Sequence, residues 1–245
     1  MNRDTLLMVA DSEHDANMLY AVGMFVPDPF IYLRIKGKSR IVVNELEINR
    51  AKKRVRRCRV VSLGHCLLKL KRAGVRAPSL ARVISAILRE NRLKRVVVPA
   101  NFPFGLAREL ADLKVKVTPR RGAFFAEREF KTAEEVKKIS AALMMAEVGL
   151  AEGLQALKCA KVNKTGRLIY HNLPLTAEKL RSIIETAILQ AGGLANHTIV
   201  AGGRQGCDPH ERGSGTLRAN QPIILDVFPR SQKTGYFGDI TRTVV

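Results

Sequence analysis

The first half of the chain alternates short apolar runs with segments whose apolar residues recur at helical spacing. The runs rich in Val, Ile and Leu predict six strands, at 6–9, 30–33, 41–43, 60–61, 96–98 and 115–117. Helices are predicted over 79–92, where apolar residues recur every three or four positions, and over 103–113, with Pro103 in the first turn. This alternation of strands and helices indicates an α/β domain.

The second half has a different order of elements. After a boundary near residues 126–131, Thr132 and Glu135 form a possible capping box that opens a long amphipathic helix. Its predicted apolar stripe comprises Val136, Ile139, Leu143, Ala146, Leu150, Leu154 and Leu157. A second helix is predicted over 176–190 and is ended by Gly192-Gly193. Strands follow at 198–200, 223–225 and 236–245, so this half is expected to be α+β.

Composition excludes several classes of protein. Hydrophobic residues make up 46% of the 245, and no apolar run approaches the roughly 18–20 residues of a membrane helix. The acidic N-terminal segment does not resemble an export signal, and four scattered cysteines are expected to be reduced thiols of a cytoplasmic protein. A net charge of +20, with its densest run at 52–59, has two interpretations. A solvated helix end is favoured over a nucleic-acid patch, because no interleaved aromatic or nucleic-acid motif accompanies the run.

Two aspartates near the C-terminal end are the strongest candidates for chemistry. Asp226 ends the apolar run 222–225, Asp239 lies in the following strand segment, and the polar stretch 228–234 between them predicts a hairpin connection. Such a hairpin can bring two carboxylates together, and carboxylates among Ile, Leu and Val require a charge partner or a metal. The alternative, left open by composition, is that Asp226 caps a turn and Asp239 pairs with Arg242.

A glycine-rich stretch, AGGRQGCDPHERGSG at 201–215, precedes these aspartates. Its glycines allow close backbone approach to a phosphate, but the Gly-Lys-Ser/Thr of a P-loop is missing. Pro209 biases its neighbour towards an extended backbone and so affects how His210 is presented. The other histidines show no spacing typical of metal ligands, and Cys58, His65 and Cys66 supply only three groups for zinc.

The order of these motifs resembles the pita-bread metallopeptidases, and most closely their Xaa-Pro aminopeptidases and Xaa-Pro dipeptidases. The resemblance rests on AGG, Pro209-His210 and the segment ILDVFPRSQKTGYFGDITRT at 224–243. Upstream, an α/β domain followed by Phe130-Lys131 and Glu134-Glu135 is similar to the creatinase-type arrangement. The resemblance implies an α/β creatinase-like N-terminal domain at 1–127. It also implies an incomplete α+β pita-bread catalytic domain at 128–245.

The resemblance also implies a site. Asp226 would chelate one of two divalent metal ions and Asp239 would bridge both, with Mn²⁺ expected and Co²⁺ or Zn²⁺ as alternatives. His210 would be a catalytic and substrate-binding residue that stabilises the developing oxyanion, while Thr241 and Arg242 would orient Asp239 and balance its charge. The substrate would be a proline-containing peptide that loses the residue before proline. A homodimer without membrane or nucleic-acid partners is expected.

Two departures from the family pattern shape this expectation. Thirteen positions separate the two aspartates, and Phe228-Pro229 stands where the family has a shorter, glycine-containing hairpin. No His or Glu follows Glu211, although the family completes its metal site with one His and two Glu from later segments. We therefore expect a C-terminally truncated form that is inactive alone.

Three other functions compete with this expectation. An inactive pita-bread homologue that binds protein or nucleic acid is the main alternative. A creatine-type amidinohydrolase shares the fold and needs no metal, so two retained aspartates would be unexpected there. Methionine aminopeptidase leaves the α/β domain unexplained.

Overall fold

A computed structural model describes residues 4–245. The chain divides into two compact units, with the division between Phe130 and Lys131. No helix in the described part of the chain combines the length and the apolar composition needed to cross a membrane.

The first unit is built on one mixed six-stranded sheet. Its strands are β1 (Leu6–Ala10), β2 (Phe30–Ile35), β3 (Lys38–Val43), β4 (Cys58–Ser62), β5 (Arg95–Val98) and β6 (Lys116–Pro119). They lie side by side in the order β4-β3-β2-β1-β5-β6. The pairs β1/β2 and β2/β3 are antiparallel, and the remaining pairs are parallel. All six strands predicted from the apolar runs are confirmed.

Helices cover both faces of this sheet. They are α1 (Ala16–Val22), α2 (Glu45–Arg54), α3 (Leu63–Arg72), α4 (Leu80–Glu90) and α5 (Phe104–Asp112), with a 3₁₀ helix at Ala126–Glu129. Alternate residues of β1 enter two different cores: Leu6 and Met8 pack with α1, whereas Leu7 and Val9 pack with α4. The α/β prediction is therefore confirmed for this unit.

The predicted helices α4 and α5 are confirmed, but α1, α2 and α3 were missed by the apolar pattern. Helix α2 buries only Ala51, so no apolar stripe marks it in the sequence. Its side-chain cap is Asn44, and its last turn carries Lys52, Lys53 and Arg54. Basic side chains are favourable at a helix C-terminus, so the start of the 52–59 run is a solvated helix end.

Two helices dominate the second unit, α6 (Ala133–Cys159) and α7 (Ala177–Gln190). The capping box that opens α6 is confirmed in both directions between Thr132 and Glu135. The predicted stripe is wrong at Val136, which is 50% exposed. Small residues form much of the buried face instead. A Cβ at Gly149 or Gly153 would overlap Ile188 or Ile184, so the missing side chains let α6 approach α7 closely.

Eight short strands complete the second unit. They are β7 (Lys161–Val162), β8 (Leu168–Tyr170), β9 (Leu173–Pro174), β10 (Gly193–Leu194), β11 (Ile199–Gly202), β12 (Ile223–Val227), β13 (Arg230–Ser231) and β14 (Ile240–Val244). They form the sheets β7-β8-β9, β10-β13 and β11-β12-β14. Buried residues of β12 pack with α6 and α7 in one core. This unit is α+β, as predicted.

Candidate active site

The candidate site lies on the three-stranded sheet β11-β12-β14, whose two faces differ in polarity. On β12, Ile223, Leu225 and Val227 are buried in the helix-covered core. The alternate residues Ile224 and Asp226 are half-buried on the opposite face. Asp226 therefore occupies a strand interior, not a turn, and the alternative in which it caps a turn is wrong.

The strand register places Thr241 directly beside Asp226. In the antiparallel β12/β14 pair, Asp226 lies opposite Thr241 and Val227 opposite Ile240. The Thr241 hydroxyl donates a hydrogen bond to Oδ1 of Asp226. Thr241 thus holds the carboxylate of Asp226, whereas the sequence predicted that it would orient Asp239.

Asp239 lies immediately before β14 and two residues from Thr241. Side chains alternate along a strand, so the register of β14, if continued by one residue, would put Asp239 on the same face as Asp226 and Thr241. Asp239 is exposed, and no hydrogen bond or ion pair of its side chain is present within residues 4–245. The predicted strand over 236–245 is shorter than expected, because β14 begins at Ile240.

Arg242 does not pair with Asp239 in the described chain. The register sets Arg242 opposite Leu225, on the other face from Asp226. Nη1 of Arg242 donates a hydrogen bond of 2.7 Å to the carbonyl oxygen of Thr241. The predicted contact in which Arg242 orients Asp239 and balances its charge is therefore not formed.

The connection between the two aspartates is fixed against α6. Gly238 lies so close to the backbone of Ala142 and Leu143 that a Cβ would overlap it. The Gly238 amide donates a hydrogen bond of 3.0 Å to the carbonyl oxygen of Pro229, and this bond closes the connection. The residue directly before Asp239 is thus held by helix packing.

A second anchor of this connection involves Tyr236 and was missed by the sequence reasoning. The Tyr236 hydroxyl donates a hydrogen bond of 3.0 Å to Oε1 of Glu135. Nζ of Lys138 lies 5.1 Å from the centroid of the Tyr236 ring. Burial raises the pKa of Glu135, but the hydrogen bonds from Thr132 and Tyr236 and the charge of Lys138 outweigh it and lower the pKa. Glu135 therefore links the helix start to the hairpin. Its capping-box position was visible in the sequence, but its tyrosine partner 101 residues away was not.

His210 lies in the glycine-rich stretch, which folds as a 3₁₀ helix at Gly203–Cys207 followed by a turn. The stretch is held by α7: Glu178 accepts a hydrogen bond from the Gly215 amide at 3.0 Å, and Arg181 donates to backbone carbonyls at Arg212 and Gly213. The His210 amide donates to Asp208 Oδ1 at 2.9 Å, while its side chain is exposed. No hydrogen bond joins the imidazole to either aspartate among the described residues.

The donor set of this face fits a divalent metal in part. Two aspartates on one sheet face are oxygen donors of the kind that hard divalent ions prefer. Within residues 4–245, however, no three His, Cys, Asp or Glu side chains are grouped closely enough to hold a metal ion. Asp226 and Asp239 therefore provide a partial ligand set, and the described residues alone do not complete it.

Comparison with known proteins gives one family match and several similar folds. Residues 137–245 match the model of metallopeptidase family M24. Among solved structures, the chain is similar to an Xaa-Pro dipeptidase from Bacillus anthracis, with a TM-score of 0.76 and 15% identity over 99% of this chain. It is similar to an X-Pro aminopeptidase from Thermotoga maritima MSB8, with a TM-score of 0.75 and 16% identity over 98% of this chain.

A prolidase from Pyrococcus furiosus is also similar, with a TM-score of 0.70 and 15% identity over 99% of this chain. The chain spans 66% of that prolidase, 62% of the aminopeptidase and 60% of the dipeptidase. No curated protein matches the sequence. The M24 family implies divalent metal ions, and the structural neighbours are peptidases. Residues 137–245 thus resemble metallopeptidase family M24, and the chain has the fold of the solved Xaa-Pro peptidases that it is similar to.

Proposed function

We propose that this protein acts as a metal-dependent Xaa-Pro peptidase that releases the residue preceding proline. The observation that carries the proposal is the register of β12 and β14 within the segment that matches the M24 model, which sets Asp226 beside Thr241, two residues after Asp239. The names of the similar structures, a dipeptidase, an aminopeptidase and a prolidase, support proline-containing peptides as substrates.

We assign the two carboxylates as metal ligands, with Asp226 on one ion and Asp239 between two. Thr241 has a positioning role, since its hydroxyl uses one lone pair of Asp226 Oδ1 and fixes the orientation of that carboxylate. Bound divalent ions lower the pKa of a water molecule and polarise the scissile carbonyl. Manganese is proposed as the metal, because carboxylate oxygens suit it and the resemblance favours it.

His210 is proposed to contact the substrate, not the metal. Its imidazole is exposed, on a stretch that hydrogen bonds to Glu178 and Arg181 hold in place. A donor presented on a fixed backbone can stabilise the negative charge that develops on a carbonyl oxygen. Arg242 is given no role at Asp239, because its guanidinium donates a hydrogen bond to the carbonyl oxygen of Thr241 instead.

On the same resemblance we propose that residues 1–127 form a creatinase-like domain. Residues 128–245 would then supply the N-terminal part of the catalytic domain. A homodimer is proposed as the assembly, and sedimentation equilibrium would measure it.

The proposal is tested with the protein expressed from its own gene in its natural source. The protein carries an N-terminal tag and is purified in the presence of Mn²⁺. Cleavage of an Xaa-Pro dipeptide and an Xaa-Pro-Xaa tripeptide is compared with matched peptides carrying Ala in place of Pro. We expect release of the first residue only from the proline peptides, with loss on chelation. Equal cleavage of the Ala peptides would contradict the specificity, and activity after full chelation would contradict the metal.

The 245-residue chain produced alone is the second arm of this test. It contributes two carboxylates to the proposed site, and no third ligand joins them among its described residues. We expect weak Mn²⁺ binding and no Xaa-Pro hydrolysis from it, because two carboxylates cannot hold two cations about 3.5–4 Å apart.

A pita-bread protein that binds a partner without metal is the competing function, and the net charge of +20 favours it. Salt-dependent retention of the metal-free protein on a nucleic-acid column, without peptidase activity in the naturally produced protein, would support it.

A further inference from the structure

A second candidate site lies within the first unit, away from the aspartates. A cavity of about 510 Å³ lies among β3, β4, α3 and α4. This volume falls within the range typical of small-molecule sites. Apolar side chains supply much of its lining, namely Val61, Leu70, Val75, Val83, Ile87 and Leu113.

Four arginines from three elements surround this apolar lining. Arg40 of β3 and Arg59 of β4 are direct neighbours in the parallel register, so two like charges stand side by side on one sheet face. Such a pair is destabilising unless an anion compensates it. Arg82 and Arg89, seven residues apart on α4, line the same cavity. Among residues 4–245, none of these four guanidinium groups takes part in a hydrogen bond or an ion pair.

The cavity contains almost no negative charge to balance them. Glu90 is the single acidic residue of its lining within the described chain, and its Oε1 already accepts a hydrogen bond from Lys69 Nζ at 2.6 Å. Because Glu90 is paired with Lys69, the four arginines create an uncompensated positive potential over an apolar surface. Such a surface attracts anions.

Ser85 provides an independent indication of a missing acceptor. It also lines the cavity and is only 3% exposed, and its hydroxyl has no hydrogen-bond partner within residues 4–245. Ser85 lies three residues after Arg82 and four before Arg89, so the three share one side of α4. A buried hydroxyl without a partner is costly, and an anionic ligand would supply the acceptor that it lacks.

We propose that this cavity binds a small organic anion with an apolar body. The arginines hold its carboxylate or phosphate head group, and the aliphatic lining covers its body. Nucleic acid fits the cavity less well, because no Phe, Tyr or Trp of the described residues lines it for base stacking and His65 is its one aromatic ring there. The proposal is independent of the peptidase function, since it uses only residues 40–113.

The test is calorimetric titration of the 245-residue chain with octyl phosphate and octanoate, which separate the two head groups. Octanol tests the need for charge, and inorganic phosphate tests the need for an apolar body. We expect saturable binding of at least one amphiphilic anion at one site per chain. Octanol and inorganic phosphate should each bind at least about ten-fold more weakly.

The matched variants are Arg40→Gln/Arg59→Gln, inside the cavity, and Arg54→Gln/Arg57→Gln, which removes the same charge outside it. The cavity variant should lose about ten-fold or more in affinity, and the control less than two-fold. If the cavity variant does not fold, Arg82→Gln/Arg89→Gln replaces it, since these α4 side chains are exposed. Ser85→Ala should fold normally and bind more weakly.

Several results would overturn the proposal. These are equal losses in both double variants, octanol binding as tightly as the anions, or no saturable binding of either anion. Displacement of the bound anion by polyuridylate at lower concentration than by octyl phosphate would also overturn it, in favour of a nucleic-acid surface.

Discussion

The four cysteines occupy environments that give their thiols different reactivity. Burial raises the pKa of Cys58 to about 11 against the opposing charge of Arg57, and burial also raises the pKa of Cys66. Cys159 and Cys207 are exposed. At pH 8, only about a thousandth of Cys58 would be thiolate, the reactive form. We expect iodoacetamide to label Cys159 and Cys207 first, Cys66 slowly and Cys58 only after unfolding.

Peptide mass spectrometry of chain quenched at successive times measures this order. Labelling of Cys58 as fast as Cys207 in the folded chain would contradict the packing of β4 against α1. The control is the unfolded chain in denaturant, in which all four thiols should react at similar rates.

At the same scale, the sequence identified the two aspartates but not their neighbours. The sequence placed Asp226 at the end of an apolar run, and the structure shows that it alternates with the buried residues of β12 and lies on the opposite face. The partners depend on register, however, and register depends on the connection at 228–239. That connection contains β13, which pairs with β10, a contact that no local pattern predicts. Thr241 was therefore assigned to the wrong aspartate, and Arg242 to a contact that it does not make.

The contact between α6 and the hairpin should make the stability of the second unit depend on pH. The pKa of Glu135 is lower in the folded chain than in an unfolded one, where it is about 4.3. A lowered carboxyl pKa contributes stability that is fully present above the unfolded pKa. That stability is lost as the pH falls through the folded pKa. We expect Glu135→Gln to reduce the loss of stability between about pH 5 and pH 3.

Urea unfolding curves at several pH values measure this effect. Tyr236→Phe is the matched partner variant, because it removes the hydroxyl that donates to Glu135 and keeps the ring beside Lys138. It should reduce the same pH dependence by a smaller amount, since the Thr132 hydrogen bonds remain. If the free energy of unfolding falls with decreasing pH in both variants as it does in the unaltered chain, the link between Glu135 and Tyr236 is contradicted.

The close approach of the hairpin to α6 is tested by one added methyl group. Gly238→Ala would place a Cβ on the backbone of Ala142 and Leu143, which cannot move as a side chain can. We expect a loss of about 1–3 kcal/mol in the free energy of unfolding. The control is Gly105→Ala in α5, where a Cβ meets nothing and helix propensity improves. An equally stable Gly238 variant would contradict the packing.

Periodicity predicted the elements whose apolar faces are large. Strands β1 to β6 and helices α4, α5 and α7 follow from their apolar residues, and α6 from its capping box. The missed helix α2 has one buried residue, so propensity and capping determine it more than burial does. Helix α3 has no fully buried residue, but Leu63, Cys66, Leu67 and Leu70 pack against the core at helical spacing, a pattern that was overlooked. On α6, alanine and glycine carry the packing, and an apolar count based on large side chains overlooks them.

For the whole molecule, limited proteolysis tests the division into two units. The segment between β6 and α6 contains irregular backbone around a short 3₁₀ helix, with exposed Arg121 and Lys131. We expect trypsin to cut first between about residues 119 and 132, and to leave two resistant fragments. First cuts inside α6, over 136–157, with this segment intact, would contradict two independent units.

We propose that Asp226 and Asp239 are metal ligands of an Xaa-Pro peptidase and that His210 contacts the substrate. Metal content by mass spectrometry, measured beside Xaa-Pro cleavage in the naturally produced protein and its variants, tests it most directly. Asp239→Ala should lose metal and abolish turnover, because a bridging ligand is removed from between two cations. His210→Ala should keep its metal and lose about a hundred-fold or more in turnover. Full activity with full metal content in the Asp239→Ala variant would contradict the account, and loss of metal in the His210→Ala variant would place that histidine among the ligands.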